Sequence, residues 1–360
     1  MGWRYLAQRA LTGVWLDRDL PLRRDELRWE LSGPGALRAT VSPEIGRLRG
    51  LDGRPLLEPG STLLYAEKDG RLRWGGILNR STFAGPLWSL EGIGFAGYPN
   101  GIPYTGVYYA RRDADPTGLF GSIWTHLQTQ PDGDLDVQVR LPGNCPVRIG
   151  TAEEPYVLTW WEGPDCGAEL SELAAETPFD FTESHTWAGA DTVTHEVRVH
   201  YPRAGRRRDD LVFEQGANVT QVVEVARDTA GYANIVVMVG KGEGNAIVRG
   251  EDSVRDGRLR RPAVYTDKLA ATTARANAIA RRERLARSYG DAVDSITVRE
   301  HPNAPIGSWD LGDDILVSAI LPWLGRVQLW HRIMGWSLLS ESTAQLQLQR
   351  SDTFRYGAAA

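Results

Sequence analysis

Residues 62–92 read TLLYAEKDGRLRWGGILNRSTFAGPLWSLEG. Three short apolar runs, Thr62 to Lys68, Leu72 to Leu78 and Leu87 to Gly92, are separated by Asp69-Gly70 and by a polar turn ending in Gly85-Pro86. Asp-Gly supplies backbone positions that tolerate positive φ, as a tight hairpin requires. The stretch therefore reads as consecutive antiparallel strands. Towards the amino terminus the same texture continues in Gly13 to Leu16, Glu26 to Leu31 and Leu37 to Val41, with a second Asp-Gly turn at Asp52-Gly53. Short strands at this spacing predict a small barrel or sandwich over residues 1–105.

Beyond residue 105 the period changes. Asp115 can cap free helical amides and Pro116 suits a first turn. Leu119, Phe120, Ile123, Trp124 and Leu127 then follow at helical spacing. A second short helix is expected over Gly167 to Glu176, and strands over Val193 to Tyr201 and Leu211 to Glu214. Strands are also expected over Val219 to Arg227, Ala233 to Gly240 and Ala246 to Arg249. The longest helix is expected from Asp267 to Tyr289, rich in Ala and Arg. Strands return at Ser295 to Glu300, Asp314 to Ile320, Val327 to Trp336 and Ala344 to Gln349, and the tail Gly357 to Ala360 should fray. The fold class is mainly β with an α+β middle: a barrel-like domain at 1–105, a mixed domain at 106–215, and a β domain with a long helix and second barrel at 216–360. Residues 70–90 and 325–346 echo one another, each running from Gly-Arg into an apolar strand, a polar turn and an alternating strand. Such an echo implies two similar barrels, one at each end.

The chain has 360 residues, a net charge of −5 and ordinary apolar content, so several domains are expected and electrostatics argue for neither nucleic acid nor an anionic membrane. The basic run Arg203 to Arg208 precedes Asp209 and Asp210 and reads as a solvated loop. Arginine greatly outnumbers lysine, and Ala and Gly are abundant, which is the coding bias of a GC-rich genome. The amino-terminal segment lacks the apolar core of a signal peptide. No stretch approaches the roughly 18 apolar residues of a membrane span. Cys145 and Cys166 form no zinc pair and no disulfide framework; free thiols are the first reading, a single bridge the second.

Motifs that mimic catalytic or cofactor sites fail on context. Gly92 to Gly97 spells GxGxxG, but Pro99 and Pro103 forbid the helix a dinucleotide needs. Gly240 to Gly244 lacks the phosphate-loop spacing and reads as a hairpin tip. His195 and His200 are five apart, about 140° on a helix and on opposite faces of a strand, so they share no metal. His126, His185, His301 and His331 have no ligand spacing, and Asp310, Asp313 and Asp314 read as a turn before a strand. The sequons at Asn79 and Asn218 carry no meaning without a secretion signal. The 13 tryptophans are numerous. Trp88, Trp160, Trp161, Trp187, Trp323, Trp330 and Trp336 suit a core or subunit interface first, and a sugar-stacking surface second. The expectation is no catalytic residue, no cofactor and no metal.

Several stretches carry a resemblance: LPLRRDELRWELSGPGALRATVSP, DGRLRWGGIL, LWSLEGIGFAGYPNGIPYTG, DPTGLFGSIWTHLQTQPDGDLDV and PRAGRRRDDLVFEQGANV. Together they resemble the minor tail proteins of actinobacterial siphophages. The second half, through YANIVVMVGKGEG and GSWDLGDDILV, is similar to the broader tail-hub group that includes the baseplate hub of contractile-tailed phages. The resemblance implies a structural virion protein at the tail tip: a homotrimer whose two barrels per chain make a pseudo-sixfold ring. Implied partners are the distal tail protein, the tape-measure protein and other minor tail proteins, with no membrane contact and DNA only in passage. The alternatives are a receptor- or carbohydrate-binding tail module and a tail-associated cell-wall hydrolase.

Overall fold

In a computed structural model the opening stretch is three antiparallel strands, as its turns dictate. The structure describes the chain except for residues 1, 153, 154, 178, 225, 228–231, 243, 267–269, 271, 288–290, 323, 324 and 352–360; for 175, 176, 226, 227, 275, 282, 286, 291 and 292 it describes the backbone alone. The chain divides into a first unit of residues 1–206, 305–313 and 333–346, and a second of 207–304, 314–332 and 347–360.

In the first unit, β1 (Trp3–Arg9), β2 (Trp15–Asp17), β3 (Leu22–Glu30), β4 (Ala36–Val41), β5 (Thr62–Lys68), β6 (Arg71–Ala84) and β7 (Leu87–Gly94) form an antiparallel sheet in the order β2-β1-β5-β6-β7-β4-β3. Residues 335–337 pair with the outer side of β3. Asp69 and Gly70 have φ of 53° and 76°, so the Asp-Gly turn uses the left-handed freedom for which it was read. The stretch from Tyr5 to Arg9 in β1 is buried residue after residue, so this strand shows no alternation. Trp74 fills the space over Gly76 and Gly92: a Cβ on Gly92 would lie 3.0 Å from the indole.

The rest of this unit comprises β8 (Tyr109–Arg111), α1 (Pro116–Gln128), β9 (Val137–Arg140), β10 (Tyr156–Leu158), α2 (Cys166–Glu176), β11 (Asp180–Trp187) and β12 (Val193–His200). β11, β12 and β9 make a three-stranded sheet, with β9 parallel to β12, while β8 and β10 form a ribbon. α1 begins as read: the Asp115 carboxylate accepts from the Thr117 amide, with Pro116 in the first turn. Its apolar face buries Phe120 against Phe179 and Phe181, at ring separations of 5.9 and 5.1 Å.

The second unit contains β13 (Phe213–Glu214), β14 (Ala226–Arg227), β15 (Ile235–Val239), β16 (Arg249–Ser253), β17 (Pro262–Thr266), α3 (Thr273–Ala286), β18 (Asp291–Ala292), β19 (Ser295–Arg299), β20 (Asp314–Leu321), β21 (Gly325–Ser340) and β22 (Thr343–Arg350). β21 contributes residues 325–332 here, paired with β20, and its remaining residues to the first unit. The echo of residues 70–90 and 325–346 corresponds to two long hairpins, β6–β7 and β21–β22.

Three expectations change. The strand read over Ala246 to Arg249 is not formed: residues 244–246 make a short 3-10 turn, and β16 begins only at Arg249. The strand read over Val219 to Arg227 is absent at residues 220–224. Val219 makes isolated bridges to Gln215 and Val298, the Thr220 amide and hydroxyl both donate to the Thr297 carbonyl, and the Gln221 side chain bonds to residues 295 and 297, with no continuous ladder. The helix read over Asp267 to Tyr289 spans Thr273–Ala286, and its outer parts at 267–269, 271 and 288–290 lie outside the described residues. Ala270 lies outside the helix and its carbonyl accepts from the Lys241 amide, while the Thr272 carbonyl accepts from the Ala276 amide at 3.0 Å in the first turn. The tail at 357–360 also lies outside the described residues.

α3 lies directly on the sheet β16-β15-β17, with Ala276 and Ala280 packed on Val236 and Met238. A Cβ on Gly250 would meet the Ala276 carbonyl oxygen and the Asn277 amide nitrogen at 2.6 Å, both backbone. Gly250→Ala should therefore destabilise this layer by about 2–3 kcal/mol, the cost of overpacking where backbone must shift. Hydrogen exchange of the amides in β15, β16 and α3 measures it: acceleration confined to those elements is expected, and unchanged protection would refute the close approach.

Candidate functional site

A buried set of ionisable side chains in the first unit sits where β11 and β12 cover β5 and β6. The two strands pair in the register His185↔His195, which places both imidazoles on one buried face. Their Nδ1 atoms are 3.2 Å apart. Gly75 makes room for them, since a Cβ there would lie 2.9 Å from the His185 ring. Phe95 stacks on His195 at 4.3 Å and tilts against His185 at 5.1 Å.

The protons in this cluster can be placed by elimination. The Gln8 side-chain amide donates to the Gly13 carbonyl, so its Oε1 faces Tyr65 and accepts the Tyr65 hydroxyl proton at 2.8 Å. Tyr65 must then accept from His195 Nε2, 3.3 Å away. Neutral His195 thus carries its proton on Nε2, and its bare Nδ1 accepts from His185 Nδ1–H. His185 Nε2 is left as a buried lone pair with no hydrogen-bond partner. Burial disfavours a charge here. It lowers the His195 pKa to about 4, and burial together with the neighbouring His195 holds His185 well below the usual imidazole range.

Glu183 lies two residues before His185 on the same strand face. The residue as a whole is partly exposed, but its carboxylate is enclosed by the β3–β4 turn and the end of β7. It accepts from the Gly35 amide at 3.2 Å and the Ala96 amide at 2.8 Å. Desolvation outweighs those two bonds and raises the Glu183 pKa to about 7. Glu67 is 5% exposed and is satisfied by Arg4 at 2.8 Å and the Trp187 indole N–H at 3.1 Å. Only the two histidines are bonded to each other; Glu183 and Glu67 are each held by other neighbours within the fold. Among the described residues no group of three or more His, Cys, Asp or Glu is arranged to hold a metal.

The motifs singled out in the sequence fall elsewhere. Gly92 to Gly97 ends β7 and forms a short 3-10 turn followed by further turns rather than an α-helix. Gly240 to Gly244, apart from the undescribed residue 243, connects β15 to β16. His195 and His200 lie on β12, His195 on its buried side and His200 on the other. His126 near the end of α1 accepts from the Thr105 amide at 3.4 Å, and buried His331 accepts from the Val293 amide at 3.0 Å. His301 accepts from the Asn303 amide at 3.2 Å. Cys145 and Cys166 are free and buried, and desolvation pushes the Cys166 thiol up to about 11.

Asp313 is a turn staple: Oδ1 accepts from the Arg206 amide at 2.9 Å and Oδ2 from the Asp310 amide at 3.0 Å. The basic run is less solvated than its composition implies. Arg208 is 6% exposed and grips Asp210 with two bonds of 2.8 Å, and the Arg207 guanidinium sits 3.8 Å above the Trp330 ring. The tryptophans divide. Trp88 and Trp336 are buried, Trp187 and Trp330 half-buried, and Trp160 and Trp161 exposed; Trp323 lies outside the described residues. Sequence reading missed the His185–His195 pairing. A signal for it exists: the two histidines are equidistant from the turn centred on Ala190, so a hairpin there must face them together.

No family model matches the chain, and no curated protein matches it. Solved structures share its fold along the whole length. The 43 kDa tail protein of prophage MuSo2 from Shewanella oneidensis superposes with a TM-score of 0.62 at 14% identity, covering 98% of this chain and 99% of that one. A tail protein from Neisseria meningitidis MC58 gives 0.59 at 15% identity, with 97% and 98% covered. The prophage tail protein gp18 from Listeria monocytogenes EGD-e gives 0.57 at 10% identity, with 97% and 95% covered. The mainly β fold described above is thus one seen in phage tail proteins.

Proposed function

We propose that this chain is a structural subunit of a phage tail tip, forming part of a hub ring around the tail channel. The observation that carries the reading is the end-to-end superposition on the MuSo2 tail protein, which leaves almost no part of either chain unmatched. The two long hairpins at residues 70–90 and 325–346 support two barrel-like hub modules, and we divide the chain at 1–105, 106–215 and 216–360 accordingly. In this reading the long helix belongs to the last of these domains. Three copies close a homotrimeric ring, in which a repeated head-to-tail surface needs no further element. The distal tail protein, the tape-measure protein and other minor tail proteins are its neighbours. DNA passes through without being bound, and a net charge of −5 suits that, because a strongly basic channel would retain phosphates. The host range we assign is actinobacterial, with a siphovirus tail. The chain has no catalytic residue and uses no cofactor.

Immunogold labelling of intact virions with antibody against the purified chain tests the location. Gold at the end of the tail remote from the head is expected. Label on the capsid or spread along the tube would overturn the assignment. Quantitative mass spectrometry of purified tails then tests the ring: three copies per tail is the expected count, and one or six would refute it.

A further inference from the structure

Every described tryptophan except two is buried or half-buried; Trp160 and Trp161 each expose 57%. They sit in the turn that follows β10, and the turn is pinned at both sides. The amides of Glu162 and Gly163 donate to the Thr159 carbonyl, and Thr159 Oγ1 bonds to the Glu162 carboxylate. The Tyr104 amide donates to Pro164 and the Cys166 amide to Ile102. The rings hold one another: Tyr108 stacks on Trp161 at 5.5 Å and 17°, and Trp160 stands across Trp161 at 5.9 Å and 86°. Tyr108 exposes 54%, and Val107 beside it 85%. Two perpendicular indoles and a stacked phenol make a corner, walled on one side by a ring face and on the other by a ring edge.

The geometry points to a saccharide-binding site at Tyr108, Trp160 and Trp161. A pyranose has a face of C–H bonds, which stacks on an aromatic face, and a rim of hydroxyls, which needs donors and acceptors. The corner supplies both. Among the described residues, neither indole Nε1–H nor the Tyr108 hydroxyl has a hydrogen-bond partner within the protein, so all three remain for a sugar rim. A protein partner of ordinary size needs about 800 Å² of surface per side. This apolar corner is confined to three rings and Val107 and is bordered by exposed Glu162. Fixed rings lose little rotamer freedom on binding, which lowers the cost of ordering. The site is independent of the tail-tip reading, because binding by the isolated chain does not depend on where the chain sits in a virion.

The test is titration of the purified full-length chain with neutral oligosaccharides of glucose, N-acetylglucosamine, galactose and mannose, followed by tryptophan fluorescence and calorimetry. Saturable binding of at least one of them is expected. It should weaken at least about tenfold in Trp160→Ala and in Trp161→Ala, while both variants keep the wild-type circular dichroism and unfolding midpoint. Trp161→Phe should retain part of the affinity, because the stacking face survives. Absence of binding across the panel overturns the proposal, as does binding that both alanine variants keep. Sedimentation of the same proteins supplies the remaining outcome: if the wild type self-associates and the alanine variants do not, the corner is a contact between copies and the saccharide assignment falls.

Discussion

Replacing Gly205 by alanine is expected to destabilise the first unit by about 4 kcal/mol and to lower its melting temperature by roughly 10 °C. Gly205 has a φ of 82°, and a Cβ built there would overlap the Gly312 carbonyl and crowd the Asp313 amide nitrogen. Neither obstacle is a side chain that can swing aside. The positive φ alone costs an alanine about 1–2 kcal/mol, and forcing apart two packed backbone segments adds about 1–3 kcal/mol. Separation of the segments also strains the bond from the Arg206 amide to Asp313. Gly60→Ala is the control: φ there is 73°, but nothing lies within 4 Å of the new Cβ, so only the conformational cost remains. Thermal unfolding of the two variants separates the effects. Equal losses would show that Gly205 and Gly312 are not in backbone contact.

That junction shows what was legible in the sequence. PRAGRRRDD and GSWDLGDD are about 100 residues apart, yet they meet through Gly205 and Gly312, and Arg206 and Asp313, so these residues serve a backbone crossing. The turns could be read because Asp69-Gly70 and Asp115-Pro116 act on their own neighbours. β1 could not, because Tyr5 to Arg9 are buried on both faces and alternation vanishes. β11 was hidden for the opposite reason. Its segment DFTESHTW is polar and resembles a surface strand, but Glu183 and His185 are satisfied or enclosed by Gly35, Ala96 and His195, which are distant in the chain. Long-range pairing of polar groups leaves no period in a single strand. That the fold is mainly β was therefore readable from turns and alternation, whereas the buried cluster emerges only once the β11–β12 register is known.

The same cluster predicts how stability responds to acid. His195 has a folded pKa of about 4 and His185 lies well below its ordinary value, so between pH 6.5 and 4 the unfolded chain binds protons that the folded one refuses. Stability must then fall as pH falls. At about 1.36 kcal/mol per unit, His195 alone costs about 2.7 kcal/mol by pH 4.5, and His185 adds a cost of the same sign. Glu183 runs the other way. Its folded pKa of about 7 exceeds the ordinary carboxyl value, so between pH 7 and 4.5 the folded state holds the extra proton and gains about 3.4 kcal/mol. The two opposing trends partly cancel in the wild type. Removing one side of the balance should expose the other. Glu183→Gln deletes the gain, and the loss from pH 7 to 4.5 should grow by about 3 kcal/mol. His185→Gln deletes one cost, and the remaining terms nearly cancel to within about 1 kcal/mol. Urea unfolding followed by tryptophan fluorescence at the two pH values reads all three slopes, and the ordering Glu183→Gln steepest, wild type intermediate, His185→Gln flattest is the expected result. Three parallel slopes would mean that these side chains titrate in the folded protein as they do in water. The imidazoles would then not be sealed between Phe95 and Gly75, and the placement of β11 and β12 over β5 and β6 would be wrong.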